Sequence, residues 1–160
     1  MKIRDVMTKN VVSCGKDSNL AAAGALMWEN DCGILPVVDE TNKVIGVMTD
    51  RDICIALCTR NARPSDLTAR EVATATTLSC SPNQDVRTAL TTMREAKVHR
   101  LPVVDGGGIL QGIVSLDDVV MCAQEKDGKG GTDVPLEDVV HTFQAVCTHH
   151  QTRPLVVVTG

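Results

Sequence analysis

The sequence predicts a mixed α/β fold made of two copies of one strand–helix–strand–strand–helix unit, and three observations predict it. Residues 34–53, ILPVVDETNKVIGVMTDRDI, return 66 positions later as RLPVVDGGGILQGIVSLDDV without a gap. The register extends upstream: residues 5–53 align with 71–119 and share 14 identities, among them Thr8/Thr74, Cys14/Cys80, Gly46/Gly112 and Asp52/Asp118. Both copies also carry the same succession of β-branched runs, helical stripes and turn residues. A unit that cannot bury its own apolar face is expected to pack against its copy.

Each copy opens with a short β-branched or apolar run, Val11–Cys14 and Thr77–Cys80, which ends at turn residues and reads as a first strand. Leu20, Ala23, Gly24 and Met27 then match Val86, Ala89, Leu90 and Met93, the i, i+3, i+4, i+7 stripe of an amphipathic helix in one phase. Leu35–Val38 and Val44–Met48 flank a short polar loop, as do Leu101–Val104 and Ile109–Val114, so each pair reads as a hairpin. A second helix starts at Thr49 or Ser115, where a hydroxyl residue followed three positions later by an acid marks a helix N-terminus. The expected divisions are repeat 1 over 1–60, a linker over 61–68, repeat 2 over 69–124, a polar Gly-rich tether over 125–134 and a tail over 135–160. Within the tail, Pro135 opens a helix to about Cys147 with Val139, Val140, Phe143 and Val146 or Cys147 as its apolar stripe, and 155–158 suits a short strand. So short a tail needs a surface to dock on.

Composition removes several function classes. The formal charge is −4, with one Trp, one Phe and no Tyr, so neither a basic groove nor stacking platforms for nucleic acid are expected. No apolar run reaches membrane-span length and the N-terminus lacks a signal-peptide core, which points to a cytoplasmic protein with no membrane partner. Seven cysteines with no CxxC fit reduced thiols buried as small hydrophobes, and Cys147, His149 and His150 are too few to hold a metal. No nucleophile–base motif and no Walker loop is present, so no catalytic residue is assigned and no enzyme is expected.

Chemistry concentrates in GVMTDRD (46–52) and GIVSLDD (112–118). A strand ending there and a helix beginning there present N–H groups that favour an anion, and Asp52 could accept hydrogen bonds from a vicinal diol such as a ribose. The plain alternative is that Thr49/Asp52 and Ser115/Asp118 only cap helices.

VMTKNVVSCGKDSNL, GILPVVDETNKVIGVMTDRD and KVHRLPVVDGGGILQGIVSLDD resemble the two motifs of a cystathionine-β-synthase (CBS) domain pair over residues 1–124, and the second copy is similar to repeats of the AMP-activated protein kinase γ subunit. The resemblance implies two βαββα units about a pseudo-two-fold axis, with clefts between them that take adenine nucleotides, and pairing of two such chains into a homodimer. One cleft would combine Thr49 and Asp52 with Thr77, Leu78, His99 and Arg100; the other would combine Ser115 and Asp118 with Val11, Val12, Gly33 and Ile34. Arg51 and Arg100 would add guanidinium groups for phosphate at the first cleft, whose counterparts Asp117 and Ile34 bring no cation to the second. The expected function is therefore a non-enzymatic regulatory module that binds AMP, ADP or ATP, requires no cofactor and acts on a protein target the sequence does not name. The alternatives are an NAD(H) or S-adenosylmethionine ligand, or a ligand-free interaction scaffold.

Overall fold

A computed structural model describes residues 1–75, 78–124 and 134–148. The chain gathers into two compact units. A central unit comprises Lys9–Ser81 and Pro102–Gly112, and a terminal unit comprises Met1–Thr8, Pro82–Leu101 and the chain from Ile113.

In the central unit, β1 (Cys14–Gly15) pairs in parallel with β2 (Ile34–Val38), which pairs antiparallel with β3 (Val44–Thr49). The helices α2 (Leu20–Glu29) and α3 (Asp50–Arg60) flank this sheet. Asn19 caps α2 by accepting the Ala22 N–H at 2.8 Å, and Asn61 ends α3 in the left-handed conformation that Asn tolerates. Cys14, Leu20, Ala23, Met27, Leu35, Val37, Met48, Ala56, Leu67 and Ala69 form the core. The interval 61–68 holds a short 3-10 turn, Pro64–Asp66, and is tied in by the Leu20 N–H donating to the Leu67 carbonyl.

The first strands are shorter than the β-branched runs predict, for a definite reason. Val11–Ser13 stay outside the ladder and the second copy keeps a single parallel bridge, Cys80 with Val103. In both copies the neighbouring strand carries a proline, Pro36 or Pro102, whose missing N–H ends the ladder at that point.

Two four-residue helices, α1 (Ile3–Val6) and α4 (Ala69–Val72), precede the first strands and are too short for periodicity to show. Each leads into a backbone pair with a strand of the other repeat. Thr8 exchanges both N–H···O bonds with Ile113 in the terminal unit, and Thr74 exchanges both with Val47 in the central unit. This close pairing explains Gly46: a Cβ there would lie 2.9 Å from the Thr74 carbonyl oxygen.

The second repeat supplies α5 (Val86–Ala96), the two-stranded sheet β4 (Arg100–Val104) with β5 (Leu110–Ser115), and α6 (Leu116–Gln124). The tail helix α7 (Leu136–Cys147) packs on α5 and α6 within the terminal unit. Its buried face is Val139, Thr142 and Val146, whereas Val140 stays exposed and Phe143 half-buried. Thr142 can replace an apolar residue there because its hydroxyl donates to the Asp138 carbonyl at 2.7 Å. The strand expected at 155–158 lies outside the described residues. No helix among the described residues is long and apolar enough to cross a membrane.

Candidate functional site

β3 ends at Thr49, whose extended backbone turns the chain into α3. The Thr49 hydroxyl donates to Asp52 Oδ2 at 2.7 Å, the Thr49 N–H donates to the same oxygen at 2.8 Å, and the Asp52 N–H donates back to Thr49 Oγ1 at 3.1 Å. Ser115 and Asp118 repeat these three bonds at 2.7, 2.8 and 3.1 Å. The capping reading of both pairs is therefore realised in full.

The caps also close the helix terminus that the sequence suggests as an open anion site. The Asp50 N–H donates to the Gly33 carbonyl at 3.2 Å, the Arg51 N–H to Asp50 Oδ1 at 2.7 Å and the Asp52 N–H to Thr49, so the first three donors of α3 are already partnered. The second carboxylate oxygens are different. Asp118 Oδ1 accepts from the Thr8 hydroxyl at 3.4 Å, whereas among the described residues no donor reaches Asp52 Oδ1. Thr8 is absent from the residues that the sequence nominates, although its identity with Thr74 in the repeat is a signal.

Within the central unit the hairpin places Ile34 opposite Thr49, with Gly33 bonded to the start of α3, and Arg51 exposed on the first turn of that helix. Val12 packs against the core, and Val11 lines a cavity of about 250 Å³ with Asn10, Ser13 and Asn42. Leu78 is partly exposed in the same unit, and Thr77 lies outside the described residues. Within the terminal unit the His99 carbonyl accepts the Leu116 N–H at 3.0 Å, which sets His99 and Arg100 beside the Ser115–Asp118 junction. Arg100 lies 3.6 Å from the Asp117 carboxylate, a partner that sequence spacing does not reveal. The two residue sets implied by the resemblance each draw members from both units.

The matched cysteines of the repeat are structural. Burial pushes the Cys80 thiol up to about 11 and raises that of Cys14, so neither supplies a thiolate near neutral pH. Among the described residues no group of three or more His, Cys, Asp or Glu side chains could hold a metal ion, and His149 and His150 lie outside them.

A family model for the CBS domain matches residues 3–58 and again residues 69–125. The chain belongs to the CBS domain family. Hypoxic response protein 1 of Mycobacterium tuberculosis, one such relative, is 29% identical over 145 residues, which cover 91% of this chain and 93% of that one. Among solved structures, Hypoxic Response Protein I with two coordinated zinc ions aligns with a TM-score of 0.70 and 32% identity over 76% of this chain and 98% of that chain. CBSX2 in complex with AMP aligns with a TM-score of 0.68 and 26% identity over 78% and 96%. The described residues of this CBS pair do not offer a ligand cluster for zinc.

Proposed function

We propose that this chain is a non-catalytic regulatory module that binds an adenine nucleotide, with AMP, ADP and ATP as the ligand class, and reports it through a change of conformation. The observation that carries the reading is the Asp52 carboxylate. One oxygen is fixed by two bonds from Thr49, which orients the group, and the other is left without a donor among the described residues. An oriented carboxylate with a spare oxygen can accept from a ribose hydroxyl. The AMP complex of a CBS protein 26% identical to this chain supports the same ligand class.

Because the N–H groups opening α3 are already used, phosphate recognition falls to the Arg51 and Arg100 guanidinium groups, whose planar donors suit phosphate oxygens. Binding Arg100 to phosphate would draw it from Asp117, so part of the gain is spent on an existing ion pair. The ligand signals only by binding two conformations unequally. The homodimer, the cytoplasmic setting and an unnamed protein target belong to the same reading, and native mass spectrometry tests the first.

Calorimetry with AMP, ADP, ATP, NAD(H), S-adenosylmethionine and adenosine tests the ligand. The expected result is micromolar binding of the nucleotides, about −8 kcal/mol, with adenosine weaker. Absence of heat and of any melting shift with every adenine compound would remove the proposal and leave the scaffold reading.

A further inference from the structure

The cavity beside Val11 is walled by side chains that the matching positions of the repeat do not carry. Within the central unit Asn10, Ser13, Asn42 and Gln111 stand with Val11 and Leu110 around this open space of about 250 Å³. None of them is charged, and three are amides. Shifted by the repeat, Asn10, Asn42 and Gln111 become Thr76, Gly108 and Ile45, so the matching set carries no amide. The frame is firm, because the Leu110 N–H donates to the Asn42 carbonyl at 3.1 Å and joins the two hairpins there.

The unused atoms say what kind of group fits. The side chains of Asn10, Ser13 and Asn42 have no hydrogen-bond partner among the described residues. Gln111 is different, because its amide is oriented: Nε2 donates to Asp105 Oδ2 and to the Ile109 carbonyl, both at 3.4 Å. Both partners are acceptors, so turning the amide over would set oxygen against oxygen, and Oε1 is the atom left without a partner among the described residues. A spare, oriented acceptor selects a donor. An ionised phosphate group has none, and it finds no cation among these lining residues. The exocyclic amine of adenine is such a donor, the paired donor and acceptor of an Asn amide suit a base edge, and Val11 and Leu110 offer apolar surface for the ring.

We propose that this pocket holds the amine-bearing edge of an adenine at the second cleft, with Gln111 Oε1 accepting from the exocyclic amine. Val11 is one of the residues that the resemblance assigns to that cleft, so the inference rests on the nucleotide-binding reading and deepens it. The two clefts then divide the ligand between them. The first, with Arg51 and Arg100, selects by phosphate; the second, whose counterparts bring no cation, selects by the base and takes an adenosine group with or without phosphate.

The test is calorimetry on the full chain, first the wild type with AMP and adenosine, then Asp52→Ala, which weakens the first cleft. The probes for Asp52→Ala are adenosine, AMP and purine riboside, which lacks the exocyclic amine. Adenosine and AMP should bind within about threefold of each other and purine riboside about tenfold more weakly, since the acceptor built for the amine is left unpaired. Adding Gln111→Ile should bring adenosine down to the affinity of purine riboside. Asn42→Gly, added instead, should weaken adenosine at least about threefold. Each variant installs the residue of the matching position, Ile45 or Gly108, and Asn42 and Gly108 share the left-handed backbone at φ 65 and 84, so both are expected to fold. The inference falls, with nucleotide binding left standing, if the wild type binds AMP but Asp52→Ala binds no adenosine or prefers AMP about tenfold. It falls in the same way if Gln111→Ile keeps the full preference for adenosine over purine riboside. A wild type that binds neither AMP nor adenosine removes this inference and the nucleotide reading together.

Discussion

The two strand-to-helix junctions match bond for bond, whereas the helical faces behind them have little in common. Thr49/Asp52 and Ser115/Asp118 make the same three hydrogen bonds with the same lengths. Yet α5 and α6 carry the long tail helix α7, and among the described residues only short helical turns pack on α2 and α3. Duplication therefore holds fixed what the backbone needs to turn the corner, and it leaves free the residues that decide what lies against each repeat. Equal geometry also does not mean equal chemistry, since Thr8 engages the second oxygen of Asp118 and no described donor engages that of Asp52.

The largest expected effect tests that last difference. Asp52→Ala should weaken AMP binding about 100-fold, the loss of a charged hydrogen-bond acceptor worth about 1.5–3 kcal/mol. Asp118→Ala should cost a similar ~1 kcal/mol of cap stability while changing affinity far less. Calorimetry beside thermal melts separates the two, and equal affinity losses would show that the junctions are chemically equivalent after all.

A second pair of variants breaks the comparison at glycines. Gly46→Ala pushes a Cβ to 2.9 Å from the Thr74 oxygen and should cost about 1–3 kcal/mol by overpacking. Gly24→Ala enters open space inside α2 and should raise stability by up to ~1 kcal/mol. Denaturant unfolding gives both signs, and destabilisation by Gly24→Ala would mean that the space beside Gly24 is tighter than described.

The docking of α7 predicts a smaller contrast. Val146→Ala removes two buried carbons and should cost about 1.5 kcal/mol, whereas Val140→Ala on the exposed face should stay within about 0.5 kcal/mol. Equal effects would place α7 in a different rotation. The least effect comes from the thiols. Because the folded Cys80 holds its proton up to about 11 and an unfolded cysteine loses it near about 8.5, the unfolded state releases protons first and stability should fall as pH rises through that window. Alkylation timed by mass spectrometry should show Cys54, Cys58 and Cys147 reacting well before Cys14 and Cys80. Prompt modification of the latter pair would contradict their burial.

Much of this architecture is legible in the sequence because the repeat doubles every signal. The stripe of α5 is buried as its spacing predicts, and the pairs at positions 49/52 and 115/118 announce the helix starts to within a residue. Propensity misleads at the first strands, where Pro36 and Pro102 on the neighbouring strand limit the ladder. The face of α7 differs from its apolar stripe because a threonine with a satisfied hydroxyl outcompetes Val140 for the interior. At the candidate site, local spacing finds Thr49 and Asp52 but not the third partner of the matching pair, Thr8, which is 110 residues from Asp118 in sequence. The closing of the α3 terminus by Asp50 is equally out of reach, since a carboxylate at that position can face either solvent or backbone.

The way the two units are threaded sets a timetable for the ribosome. The central unit draws all its residues from between Lys9 and Gly112, so the contacts within it can form once that length has emerged. The first eight residues belong with Pro82–Leu101 and the chain from Ile113 onward, and Thr8 cannot make its backbone pair until that last stretch is synthesised. The part of the protein made first is thus among the last to settle. Ile3 and Val6, buried in the finished molecule, remain exposed to solvent and to chaperones through most of synthesis.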